Sequence, residues 1–168
     1  QVGSVSIELM WSPDEMMLTD AKGAEVPCQP IDISSVIWPG WRRGFTFIAD
    51  VPALGYAVYW LTAKEPAVEV TNGVEVAENR LANKYVELEL DPRTAYIKSM
   101  KAKCNEWDVF NGPAGVPVVI DDPSDTWSHG VFHFDDEIGR FTDGSLEIVE
   151  SGPVRGIIRA TNHYGRSI

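Results

Sequence analysis

The sequence predicts an all-β protein built of two sandwich-type units. Short runs alternate apolar and polar residues with a period of two, and turns rich in Gly, Pro and Asp separate these runs. No stretch carries the apolar period of an amphipathic helix. A chain of 168 residues can form two small domains. We place their boundary within residues 64–72, so that the predicted domains are 1–64 and 65–168.

The first predicted domain is a small β-sandwich. Its strand-like runs lie at residues 5–9, 16–19, 25–26, 44–49 and 56–61. Two tryptophans, Trp38 and Trp41, fall on a connection between these strands. Their rings could form a platform on which sugars stack, or they could cap the edge of a small core, which is the interpretation we favour.

The second predicted domain is also made of strands. Its strand-like runs lie at residues 85–90, 96–100, 116–120, 145–150 and 154–160. Alternation within the first of these runs places its apolar side chains on one face and Glu87 and Glu89 on the other. Pro92 presets the dihedral of the turn that follows, and we expect Asp91 to accept hydrogen bonds from the backbone ahead of it.

The charge balance argues against two classes of partner. The formal net charge is −11 and the isoelectric point is near 4.6. Nucleic acids are bound through clustered Lys and Arg, which this chain lacks, and an anionic membrane surface is disfavoured for the same reason. The longest apolar run is too short to cross a bilayer, and nothing near Gln1 is typical of a signal peptide. We expect the chain to be a piece of a longer protein.

The cysteine content indicates no disulfide framework. Cys28 and Cys104 are 76 residues apart and fall in different predicted domains. This spacing does not match a zinc knuckle either. Free thiols are typical of a reducing compartment.

The stretch from residue 120 to residue 139 holds the candidate functional groups. It contains Asp125, Trp127 and His129, and its turn-forming residues predict a loop that leads into a strand. Residues 120–143 carry seven Asp or Glu against one Arg. Loops of this composition on a rigid scaffold are common places for binding groups.

A metal site in this stretch is less well supported than a loop that presents binding groups. His129 and His133 have the spacing of a zinc-protease pair, but on a strand they would lie about 13 Å apart. Asp121, Asp122 and Asp125 are suitable ligands for calcium, although Asp-rich turns more commonly cap backbone amides. We therefore expect no metal ligand in this chain.

Several runs carry a family resemblance, namely residues 50–56, 78–92, 97–100, 112–115, 121–130 and 135–141. Together, and in consistent order along nearly the whole chain, they resemble the β-rich C-terminal half of bacterial family-38 α-mannosidases (glycoside hydrolase family 38). The run Asp-Asp-Pro-Ser-Asp-Thr-Trp-Ser-His-Gly at residues 121–130 is the specific part, whereas the hairpin runs are generic.

The resemblance implies retaining, zinc-dependent hydrolysis of terminal α-mannosides of glycans. In the family, the Asp nucleophile and the zinc ligands belong to an upstream α/β barrel, so no catalytic residue, metal ligand or cofactor carries over to this chain. The resemblance implies a small β-sandwich followed by the start of a galactose-mutarotase-like supersandwich. It further implies packing on the chain's own upstream catalytic domain and a location in the bacterial cytoplasm.

Within this family frame, our hypothesis is that Asp125, Trp127 and His129 lie at the edge of the substrate cleft. The alternative is that their loop is buried between domains. Two other functions stay open: a stand-alone carbohydrate-binding module that uses Trp38, Trp41 or Trp127, and a purely structural spacer. One departure from the family is Ala95, which stands where the family turn usually has Gly, so a positive φ there would strain the turn.

Overall fold

The computed structural model describes residues 2–10, 16–33, 42–64, 73–125, 127 and 129–168. Fifteen strands and no helix lie within these ranges, which confirms the predicted all-β fold class. No helix of the described ranges has the length and apolar character needed to span a bilayer. The predicted tryptophan pair, Trp38 and Trp41, lies outside the described residues.

Two compact units make up the chain. The first comprises Gln1–Val74 together with Glu150–Gly156, and the second comprises Glu75–Val149 together with Ile157–Ile168. The return of Glu150–Gly156 to the first unit was not part of the predicted division into 1–64 and 65–168. Because residues 65–72 lie outside the described part of the chain, the predicted boundary stays a prediction.

The first unit holds two three-stranded sheets. One has the order β1-β5-β4 and the other the order β3-β2-β6. The strands are β1 (Val2–Met10), β2 (Met17–Thr19), β3 (Glu25–Val26), β4 (Cys28–Ile31), β5 (Arg42–Asp50) and β6 (Trp60–Thr62). Their core joins Leu18 of one sheet to Phe47 and Ala49 of the other. Two sheets that bury apolar faces against each other form a β-sandwich-type unit.

The middle of the central strand β5, residues 44–47, is buried on both faces. Phe45 and Phe47 point to one face, and Thr46, which is fully buried, points to the other. The Thr46 hydroxyl donates to the carbonyl of Val5 at 3.1 Å and also contacts the hydroxyl of Ser4. These bonds satisfy a polar group that would otherwise be costly to bury.

A buried glutamine holds the segment Glu150–Gly156 in the first unit. Gln29 is 5% exposed, and its Oε1 accepts the backbone N–H groups of Val154 at 3.1 Å and Arg155 at 2.8 Å. Its Nε2 donates to the carbonyl of Arg155 at 3.0 Å and to a carboxylate oxygen of Glu150 at 3.3 Å. One side-chain amide therefore satisfies three backbone groups of a segment more than 120 residues away.

The second unit contains a five-stranded sheet with the order β11-β10-β9-β8-β7. Its strands are β7 (Val74–Ala77), β8 (Arg80–Asn83), β9 (Val86–Leu90), β10 (Ile97–Ala102) and β11 (Trp107–Asp108). The strand register places Leu88 between Leu81 and Met100, and Glu87 beside Lys101. This arrangement confirms the predicted separation of apolar and charged faces in β9.

The remaining strands form two smaller sheets. β12 (Val118–Ile120) pairs with β13 (Glu137–Arg140), and β14 (Thr142–Ser151) pairs with β15 (Gly156–His163). These sheets support a β-sandwich-type architecture for the chain.

The turn between β9 and β10 has the hydrogen bonds that the sequence predicts. A carboxylate oxygen of Asp91 accepts the backbone N–H groups of Arg93 at 2.8 Å and Thr94 at 3.1 Å, which confirms the predicted forward bonds. These two donors hold the pKa of Asp91 below its usual range. Ala95 has a φ of 56°, so an alanine does occupy a left-handed position that favours glycine.

Candidate functional site

The candidate site lies in the loop of residues 121–136, which joins β12 to β13. At its neck, the backbone N–H of Asp121 donates to the carbonyl of Asp136 at 2.9 Å. The next pair, Ile120 and Glu137, is in register within the strand ladder. The loop exceeds the length of about 12 residues above which irregular loops are usually functional or linking segments.

Gly139 in β13 packs closely against the ring of Tyr164, near the C-terminal end of the sequence. A Cβ atom on Gly139 would come within 2.5 Å of the ring of Tyr164, so only glycine allows this approach. The Tyr164 ring in turn contacts the ring of Phe141, with centroids 5.8 Å apart. The strand that supports the returning half of the loop is therefore held by aromatic packing.

Asp125 organises the tip of the loop. Its Oδ1 accepts the backbone N–H groups of Trp127 at 3.0 Å and His129 at 3.1 Å. Its Oδ2 lies 2.7 Å from Nδ1 of the His129 ring. Both carboxylate oxygens are thus engaged inside the loop, in the manner of an Asx turn extended by a carboxylate–imidazole pair.

The pairing with Asp125 defines which nitrogen of His129 is available. A carboxylate oxygen accepts, so Nδ1 carries the proton that joins the two side chains. In the neutral imidazole Nε2 is then an acceptor. The His129 side chain is largely exposed, and Nε2 can therefore meet a hydroxyl or another donor from solution.

Trp127 completes the group predicted from the sequence. The residue is 80% exposed, although its backbone N–H donates to Asp125. The structure thus brings Asp125, Trp127 and His129 together at one loop tip, through the bonds of Asp125 to the Trp127 backbone and to the His129 backbone and ring. The roles assigned to them from the sequence stay a prediction.

The sequence reasoning missed two aromatic residues of the same loop. Phe132 is 87% exposed and Phe134 is also exposed. The sequence predicts a loop that leads into a strand, and in the structure that strand, β13, begins only at Glu137, so both phenylalanines belong to the loop. The signal that could have revealed them is the position of two phenylalanines beside Asp135 and Asp136, because acidic neighbours make a buried strand unfavourable.

Asp122, like Asp125, caps a backbone amide of the loop. A carboxylate oxygen of Asp122 accepts the backbone N–H of Ser124 at 3.0 Å and also bonds the Ser124 hydroxyl. Among the described residues, no three His, Cys, Asp or Glu side chains are grouped so that they could hold a metal ion. The calcium alternative for Asp121, Asp122 and Asp125 therefore finds no support in the geometry.

The two cysteines are both free thiols. Cys28 is half-buried beside the core of the first unit, and burial raises the pKa of its thiol. Cys104 is exposed in the second unit. A buried thiol with a raised pKa is a poor nucleophile, which argues against a catalytic role for Cys28.

The side chains at the loop tip can contact a ligand without forming a covalent bond, and they offer little for covalent chemistry. The tryptophan ring presents an apolar face, and the imidazole presents one nitrogen for hydrogen bonding. Comparison with known proteins adds nothing to this picture: no family model and no curated protein matches the chain.

Proposed function

We propose that this chain is the accessory β region of a retaining, zinc-dependent α-mannosidase, and that Asp125, Trp127 and His129 bind the edge of its mannoside substrate. The observation that carries the proposal is the joint exposure of Trp127 and His129 on a tip organised by Asp125. The resemblance of residues 121–130 to family-38 α-mannosidases supports it further.

The three residues have different roles in this proposal. The Trp127 ring stacks on the apolar face of a pyranose, because aromatic rings bury large apolar areas in a fixed geometry. Nε2 of His129 bonds a sugar hydroxyl. Asp125 does not contact the sugar; it is a positioning residue, since both of its oxygens are already bonded within the loop.

The chemical step is assigned to another domain. The proposal gives the nucleophile, the general acid and the zinc ion to an upstream catalytic domain, on the family resemblance, and places that enzyme in the bacterial cytoplasm. This chain supplies scaffold and substrate-edge contacts only. With added zinc and an aryl α-mannoside, we expect it to show no turnover, and turnover would overturn the assignment.

Sugar binding tests the loop directly. One stacked ring and one hydrogen bond correspond to a dissociation constant on the order of 1 mM, or about −4 kcal/mol. NMR titration with a short α-mannoside should therefore shift the Trp127 indole and His129 imidazole signals. Trp127→Ala should abolish these shifts, and Trp107→Ala, which removes another exposed ring, should leave them intact.

The roles of the two polar residues are separable in the same titration. Asp125→Asn keeps one oxygen to accept the loop N–H groups but weakens the bond to His129, so binding should weaken less than in His129→Ala. Equal loss in both variants would mean that Asp125 contacts the sugar itself. No shift up to about 10 mM mannoside, well above the expected constant, would overturn the loop's role.

A stand-alone carbohydrate-binding module is the second candidate function. The exposure of Trp127 favours it as well, because a single exposed ring is compatible with either function. Micromolar affinity for an α-mannoside in this chain alone would favour the module, because a substrate edge that lacks the rest of its cleft should bind only weakly.

A further inference from the structure

The returning half of the loop combines exposed apolar side chains with unpaired backbone. Phe132 and Phe134 are exposed, as is Ile138, which lies where the register of β12 and β13 shifts. Within the described part of the chain, the backbone N–H and C=O groups of residues 131–134 make no hydrogen bond. Single exposed apolar residues are ordinary, but these three lie within seven positions, and we refer to Phe132, Phe134 and Ile138 as the patch.

Each of these features indicates a kind of contact. Unpaired backbone groups in a non-helical segment can accept a strand from another protein, as in strand addition to a sheet edge. Aromatic side chains that project from such a segment bind apolar clefts and dominate the energetics of protein interfaces. The segment 131–138 is therefore suited to docking on a polypeptide surface.

The acidic residues of the loop indicate that a partner would carry positive charge. Asp121, Asp122, Asp135 and Asp136 have no ion-pair partner among the described residues. The backbone hydrogen bond between Asp121 and Asp136 brings two of these acidic residues together at the neck of the loop. A partner that brings Lys or Arg beside its cleft would gain charge complementarity and a faster association rate.

We propose that residues 131–138 dock on a second protein that presents an apolar cleft bordered by Lys and Arg. The partner's backbone pairs with residues 131–134, its cleft receives Phe132 and Phe134, and its cations face Asp135 and Asp136. A second copy of this chain is disfavoured, because each copy carries a net charge of −11 and the same carboxylates would meet. The residues of this proposal are other than Trp127 and His129, to which the proposed sugar contact is assigned.

A synthetic peptide serves as the probe. A labelled peptide of about eight residues that alternates Val and Lys offers a strand, apolar side chains and cations at once. Fluorescence anisotropy should show saturable binding to the whole chain, weakened as salt screens the charges. A matched peptide with Glu in place of Lys should not bind.

Matched variants locate the site. The double variant Phe132→Ser/Phe134→Ser should weaken binding at least about tenfold, which corresponds to about 1.4 kcal/mol. Tyr56→Ser removes an exposed ring from the first unit and should leave affinity unchanged. Hydrogen exchange at residues 132–134 should slow when the peptide is bound, because their amides gain partners.

Four results would overturn the proposal. They are no binding of the Val–Lys peptide, equal binding of the Glu peptide, undiminished binding by the double variant, and unchanged exchange at residues 132–134. Sedimentation of the free chain tests a second copy as the occupant: self-association that the double variant abolishes would also overturn the proposal and assign the patch to that copy instead.

Discussion

Replacing Gln29 by Met should destabilise the first unit through the loss of one side-chain amide. Methionine has a similar length and fills the same space, so the change removes hydrogen bonds without opening a large cavity. It leaves the N–H groups of Val154 and Arg155, and the carbonyl of Arg155, without their present partner. Each buried polar group left unpaired costs about 1–3 kcal/mol.

The cost of each unpaired group is lower here, because Val154 and Arg155 are half-buried and water can reach part of their backbone. We therefore expect the free energy of unfolding of the first unit to fall by about 2–3 kcal/mol. Urea denaturation followed by tryptophan fluorescence measures the change. Thr62→Val is the control: it removes one exposed side-chain bond to the carbonyl of Met17 and should cost less than about 0.5 kcal/mol.

Hydrogen exchange gives a local measure of the same contact. The amides of Val154 and Arg155 should exchange faster in Gln29→Met than in the parent chain, because they lose the acceptor that protects them. Gly152→Ala tests the contact from the other side, since a Cβ there would clash with the Gln29 side-chain amide. Unchanged stability together with unchanged exchange in Gln29→Met would refute the reasoning.

Two further changes test local features of the fold. Leu54 has a φ of 55° and a fully exposed side chain. Leu54→Gly should therefore relieve backbone strain and raise the stability measured by thermal unfolding by up to about 1 kcal/mol. A loss of stability would show that the Leu54 side chain has a stabilising contact. The pKa of Asp91 is lowered in the folded state, so its carboxylate stabilises the fold only while it is ionised. Asp91→Asn should therefore be less stable than the parent chain above pH about 3.9, which is the ordinary aspartate pKa. The difference should disappear as the pH falls through the folded-state pKa, and a difference that persists at pH about 2 would have a cause other than this charge.

Local features of the chain were predictable because their causes lie within a few residues. The alternation in β9, the forward bonds of Asp91 and the strain at Ala95 each depend on neighbours no more than four positions away. The grouping of Asp125, Trp127 and His129 is similar, since it depends on an Asx turn closed over four residues.

The exposure of Phe132 and Phe134 could not be predicted with the same rules. An alternating run of apolar residues has the same pattern whether its apolar face meets a core or solvent. Only the position of β13, which begins at Glu137, shows that Phe132 and Phe134 lie outside the strand ladder.

The sequence by itself determined the all-β class, the main turns and the composition of the site loop, because backbone preferences and side-chain alternation act locally. The tertiary structure decided what meets what over long distances. It placed Gln29 against a segment about 125 residues further along the chain, joined Leu18 to Phe47 in one core, and left Trp127 and Phe132 exposed. Contacts of this range depend on how whole sheets pack, and local sequence patterns do not specify their partners.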